Sequence, residues 1–282
     1  MKLKISLWLL LGSFFLSANL NAQALSREEM RDTMQHIPWF TIHKDNYFIT
    51  GVPTNKPINS STANAKYQVS FKQIITRSIL PWDTYLYLTY SQKAFWDIYK
   101  DSYPFKEINF NPTIGVGKAF YDSDDRIKGL ANLVFEHESN GRDSIFSRSW
   151  NRLSLKYSTL IGKKTLLHVK GWLPFGYKSG NPDLLDYVGL GEVSLSHDFI
   201  PDKLIFEVKV RKGLNLDTRG MIQTRLHYRP FKHKSNQYIM LEWFAGHTEN
   251  LINYKQYNSM IRVGYVIKSN EFNILKKNRR TP

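Results

Sequence analysis

The chain has 282 residues, no cysteine, 14% aromatic residues and a formal charge of +15. Without thiols there is no disulfide scaffold, no thiolate metal site and no cysteine-linked lipid anchor. The basic balance invites a nucleic-acid partner. The N-terminus reads as an export signal and argues against one, leaving lipopolysaccharide or anionic lipid at a membrane surface.

Lys2 and Lys4 precede an apolar run over residues 5–16, followed by small and polar residues up to Ala22 and Ala24. This is a secretory pattern, too short to span a bilayer; cleavage after Ala22 or Ala24 both fit. Residues 1–24 are therefore expected to be a signal peptide. Residues 25–39 form an N-terminal segment, with a short helix or coil over 26–35 entered through Ser26 as N-cap. From residue 40 the texture changes to runs of about ten residues rich in Tyr, Phe, Val, Ile and Thr. They predict strands near 40–50, 67–77, 83–94, 110–120, 130–139 and 151–161. A second set falls near 165–175, 186–199, 203–211, 220–229, 237–246 and 256–267. Turn residues such as Gly162-Lys163-Lys164 and Pro201-Asp202 lie between them.

Twelve is an even number, as a closed antiparallel barrel with both ends on one side requires. No stretch after residue 24 approaches 18 apolar residues, so helical spans are excluded. Alternation supplies the rest: Leu204, Phe206, Val208 and Val210 share one face, with Glu207, Lys209 and Arg211 on the other. The fold expected is all-β, a twelve-stranded antiparallel transmembrane β-barrel over residues 40–270, with a basic C-terminal tail over 271–282. In that tail Lys276, Lys277, Arg279 and Arg280 are expected to be solvated. A secreted β-sandwich is the rival, in which the same apolar faces would point into a core.

The segment HESNGRDSIFSRSWNR, residues 137–152, holds the chemistry. Period two puts Leu133, Phe135, His137 and Ser139 on one face and Glu136 and Glu138 on the other. In the next strand Asn151 shares its face with Leu153 and Leu155. A short loop joins the two strands, so antiparallel pairing can bring Asn151 beside His137. Polar groups facing hydrocarbon cost several kcal/mol unless they satisfy one another or serve a function. Ser139, His137 and Asn151 in one hydrogen-bonded chain would make a nucleophilic triad: hydroxyl, base, and an uncharged group fixing the imidazole tautomer. The blander alternative is an H-x-S pair at a strand end in the head-group zone, followed by an ordinary Asn-Gly turn. The eight histidines show no zinc-ligand spacing.

These residues resemble the outer-membrane phospholipases A of Gram-negative bacteria. The resemblance centres on HxSNGR, here His137 and residues 139–142, and on SRSWNRL, here residues 147–153. YSQKAFWDIY (90–99) and PFKEINFNP (104–112) are similar to further family segments. Weaker echoes occur at 40–49, at 181–183 with Tyr187, and at 249–254. Glu138 stands where the family has Asp, and residues 143–146 differ from its loop. The resemblance implies a twelve-stranded barrel in the outer membrane and hydrolysis of acyl ester bonds of glycerophospholipids. It makes Ser139 the nucleophile, His137 the base and Asn151 its orienter. It also implies dependence on Ca²⁺ and activation as a homodimer. The Ca²⁺ would be held by Ser147 and the carbonyl of Arg142, with Ser102 reaching over from the partner subunit. Gln92 looks like a membrane-embedded glutamine at the two-fold interface. A calcium-bound water and the Gly141 N–H could together stabilise an oxyanion. The alternative function is a non-enzymatic barrel, a pore or structural protein on the same scaffold.

Overall fold

In the computed structural model, which describes residues 25–77, 80–230, 235–272 and 274–275, the alternating segments become one closed antiparallel sheet. The expected signal peptide and the four tail cations lie outside the described residues. The strands are β1 (Phe40–Ile42), β2 (Asn46–Pro53), β3 (Asn64–Ile74), β4 (Thr84–Trp96), β5 (Phe105–Tyr121), β6 (Ile127–Ser139) and β7 (Ser149–Ile161). They continue with β8 (Thr165–Phe175), β9 (Gly191–Ile200), β10 (Leu204–Lys212), β11 (Gly220–Tyr228), β12 (Gln237–Gly246) and β13 (Asn258–Ile267).

Both β1 and β2 pair with β3, Phe40 opposite Gln73 and Tyr47 opposite Gln68. They are two pieces of one barrel strand, interrupted at residues 43–45. There the Asp45 carboxylate accepts from Lys268 Nζ at 3.0 Å and its carbonyl from Gln68 at 2.7 Å. β13 pairs with β2, Met260 opposite Pro53, and closes a ring of twelve strands. The strand expected over 186–199 begins only at Gly191. Residues Leu185–Val188 form a helical turn instead, because Leu184 and Val188 bury against Trp150 and Trp172 beneath the longer loops. The strand expected from residue 110 starts earlier, at Phe105.

The barrel is apolar outside and charged within. Leu155 and Leu173 are 58% and 69% exposed, whereas Glu242 is fully buried and Arg152 is 7% exposed. A soluble sandwich would have the reverse; this distribution suits a wall facing hydrocarbon. Inside, Lys66 pairs with Glu242 and Glu249, and Arg262 with Glu249 at 2.6 Å. Buried charges persist only when matched in this way.

The short turns lie at one end of the barrel, and there the helix α1 (Arg27–His36) enters. Ser26 and Glu29 form a reciprocal capping box, at 2.8 and 3.2 Å, satisfying two of the helix's free backbone donors. Its Met30 and Met34 pack against Tyr85, Tyr87, Leu130 and Leu275. The start of the basic tail is therefore interior. Glu271 bonds Lys72 at 2.7 Å and His43 at 3.0 Å, and Leu275 is 3% exposed.

Candidate active site

Register decides which side chains meet. In the β6–β7 ladder His137 stands opposite Asn151 and Ser139 opposite Ser149. His137 Nδ1 lies 2.8 Å from Asn151 Oδ1. With an amide oxygen as acceptor, Nδ1 must carry the proton, which leaves Nε2 as the free base. Leu133, Phe135, Leu153 and Leu155, on the same face, are all exposed on the outer wall. Ser139 lies two residues beyond His137 on that face, but the two side chains are not drawn into a hydrogen bond among the described residues. Catalytic contacts are often longer without substrate.

Glu138, the residue that departs from the expected motif, points the other way. Its carboxylate accepts from Arg152 at 2.8 Å and from the Trp150 indole at 3.2 Å on the lumen side. The substitution therefore leaves the outer face untouched.

The loop over 140–148 is tied by Asn140, which the sequence offers as a turn residue and as part of the SNGR motif without a role of its own. Asn140 is 4% exposed. Its N–H donates to the Arg148 carbonyl at 3.0 Å, and its Nδ2 donates to the Phe146 carbonyl at 2.9 Å. Its Oδ1 accepts from the Arg148 N–H at 2.9 Å and the Arg142 N–H at 3.3 Å. One amide thus holds both ends of the loop. The sequence signal was an amide beside a glycine; its burial and partners follow only from the ladder. Two further residues brace the site: Asn181, within the 181–183 segment that resembles the family, and Gly176, which carries no sequence signal. Asn181 Oδ1 accepts the Ser149 N–H at 3.2 Å. Gly176, with φ of +63°, lies so close that an added Cβ would sit 2.8 Å from Asn151 Nδ2.

Gly141 follows with φ of +65°, over the ring of Phe110. Its N–H makes no hydrogen bond among the described residues, so a donor stands two residues from Ser139. The Arg142 guanidinium turns to Glu107 at 3.2 Å and to the Lys106 carbonyl at 2.6 Å. Its own carbonyl accepts no hydrogen bond among the described residues. The half-buried Ser147 hydroxyl is likewise unbonded there, and the Ser147 carbonyl is packed by Gly180. Two uncommitted neutral oxygens at the ends of one tied loop fit a hard, oxygen-preferring cation such as Ca²⁺.

A second grouping, Asp45, Glu207 and His227, also has its ligand atoms within 4.8 Å of one another. The Lys268 ammonium already bridges its carboxylates, at 3.0 and 2.6 Å. It is an ion-paired lumen cluster. Ser102 is exposed in the β4–β5 loop with φ of +62° and makes no hydrogen bond to the 140–148 loop among the described residues. Gln92 is on the outer wall, between Val69 and Phe110 of the adjacent strands, and its Oε1 accepts from the Tyr90 hydroxyl at 2.9 Å.

Comparison with known proteins identifies the family and the fold. The chain is 29% identical over 217 residues to a phospholipase A1 from Salmonella typhimurium, covering 74% of this chain and 71% of the relative. It is 28% identical over 217 residues to a phospholipase A1 from Escherichia coli K12, with the same coverage. The solved outer membrane phospholipase A from Escherichia coli superimposes with a TM-score of 0.70 at 23% identity, over 81% of this chain and 94% of that one. A Salmonella typhi outer membrane phospholipase, crystallised as a dimer with bound calcium, superimposes with a TM-score of 0.73 at 24% identity, over 84% and 96%. These structural likenesses carry the twelve-stranded fold. A family model described as Phospholipase A1 matches residues 23–267, and the chain belongs to that family of phospholipid-hydrolysing enzymes.

Proposed function

We propose that the chain is a calcium-dependent outer-membrane phospholipase, hydrolysing acyl esters of glycerophospholipids through Ser139, His137 and Asn151. The observation that carries this reading is the His137–Asn151 hydrogen bond on an apolar outer wall. A lipid can approach that wall sideways without leaving the bilayer.

Ser139 Oγ attacks the ester carbonyl carbon while His137 Nε2 takes its proton. Asn151 holds the ring so that Nε2 faces the hydroxyl. The resulting imidazolium returns the proton to the departing lysophospholipid oxygen, leaving an acyl-serine. A water, deprotonated by the same Nε2, then adds to the acyl carbonyl, and the fatty acid leaves as Ser139 is restored. The Gly141 N–H is the protein donor for the oxyanion. Ser147 and the Arg142 carbonyl would hold the calcium, whose bound charge supplies further stabilisation of developing negative charge. In a homodimer, Ser102 of each subunit would complete the other's metal site, and Gln92 would lie at the interface. The calcium-bound dimer of the Salmonella typhi neighbour supports this part. Against a wide pore stand the ion pairs within the lumen and α1 packed on its short-turn end.

The test is phospholipid hydrolysis by pure protein, with calcium or with chelator, for wild type and Ser139→Ala. Hydrolysis should need both calcium and the hydroxyl. Undiminished activity in Ser139→Ala would remove the serine mechanism.

A further inference from the structure

The lumen encloses a cavity of about 710 Å³, lined on several sides by lysine and arginine. Its carboxylates are largely committed. Glu136 is taken by Arg152 and Lys170, Glu138 by Arg152, Glu207 by Lys268 and His227, and Glu271 by Lys72 and His43. Glu192 reaches Lys209 only at 3.8 Å.

Three cavity lysines lack a carboxylate partner among the described residues: Lys93, which donates to the Glu249 carbonyl at 2.7 Å, and Lys44 and Lys156. Lys44, in the break between β1 and β2, donates to Asn111 Oδ1 at 3.2 Å. Lys156 of β7 has its ammonium 4.2 Å from the centre of the Phe272 ring. Lys156 also stands directly opposite Lys170 on β8, both facing inward. Like charges directly opposite on neighbouring strands are destabilising. Its other charged neighbours include Lys209, Lys44 and Glu271. Lys44 is open to the lumen and Lys156 is half-buried, and the positive charge of several ammonium groups converges on one chamber. A polyvalent anion would relieve that mutual repulsion.

We propose that this part of the lumen is a binding site for a small polyvalent oxyanion of the phosphate class, held by Lys44, Lys156, Lys170 and Lys209. The cavity extends to Asp202, Arg229 and Asn236 at the short-turn end, which gives the anion a route in. The site is on the opposite side of the barrel wall from His137, so it is independent of the hydrolytic reading.

The experiment is equilibrium dialysis of the detergent-solubilised full chain against radiolabelled inorganic phosphate, at fixed ionic strength set by chloride. Wild type should bind saturably at millimolar phosphate. Loss of a charge-assisted contact at each lysine should weaken binding by about tenfold or more in Lys44→Gln/Lys156→Gln. Lys100→Gln, outside the lumen, should bind as wild type. Heat-modifiable migration checks that each barrel is folded, and Lys156→Gln alone replaces the double variant if that one is not. No saturable binding by wild type, or equal binding by the folded lysine variant, overturns the proposal. Phospholipid hydrolysis should be unchanged in Lys156→Gln whichever way binding falls.

Discussion

Two neighbouring rungs of the β6–β7 ladder face opposite solvents. On the inner side Glu136 meets Arg152 at 2.7 Å; one residue further, on the outer side, His137 meets Asn151 at 2.8 Å. The inner rung belongs to a network in which Arg152 also holds Glu138, and Lys170 also holds Glu136. The outer rung has apolar neighbours and two further polar residues, Ser139 and Ser149, on its face. Polar satisfaction inside the barrel is collective and serves stability. On the lipid side it is local, and the ring nitrogen it leaves free is available for proton transfer. Two adjacent residues of one strand can therefore be separated by function as cleanly as by face.

The largest test of that separation is His137→Ala. Loss of a triad member should lower phospholipid turnover by about 10³-fold or more while leaving the urea unfolding midpoint near wild type. A change in midpoint alone would make the outer rung structural. Arg152→Met should do the opposite. Breaking a buried ion network by removing one partner costs about 3–5 kcal/mol, read as an earlier midpoint, with turnover per folded molecule retained. Gly176→Ala sharpens the comparison further. Its Cβ would press on Asn151 Nδ2 from a backbone with φ of +63°. Displacing the orienting amide should lower kcat by about tenfold with little change in KM, the mark of misplaced geometry rather than lost binding.

Much of this comparison was legible from alternation. Period two alone put His137, Ser139 and Asn151 on the apolar face and Glu136 on the other, and the strands obey it. Strand number was readable for the same reason: it is a local, repeated pattern. What escaped depends on partners distant in the chain or in space. Asn140 looks like half of a turn until its amide is seen bonding three backbone groups across the loop. The Leu185–Val188 turn reads as strand until Trp150 and Trp172 offer its apolar side a place to bury. Glu138 looks like an altered catalytic motif until Arg152 and Trp150 claim its carboxylate. The break at residues 43–45 depends on Lys268, from the far side of the seam.

The packing of α1 against Leu275 bears on how the molecule is assembled. Part of the helix's pocket comes from β4, β5 and β6, and part from residues beyond β13. A barrel still open between β2 and β13 lacks that second part. Those two strands are about two hundred residues apart in the chain, the kind of contact that forms late and slowly. Seating of Met30 and Met34 is thereby linked to completion of the ring, so the first described helix and the last described residues together act as a latch on an assembled wall.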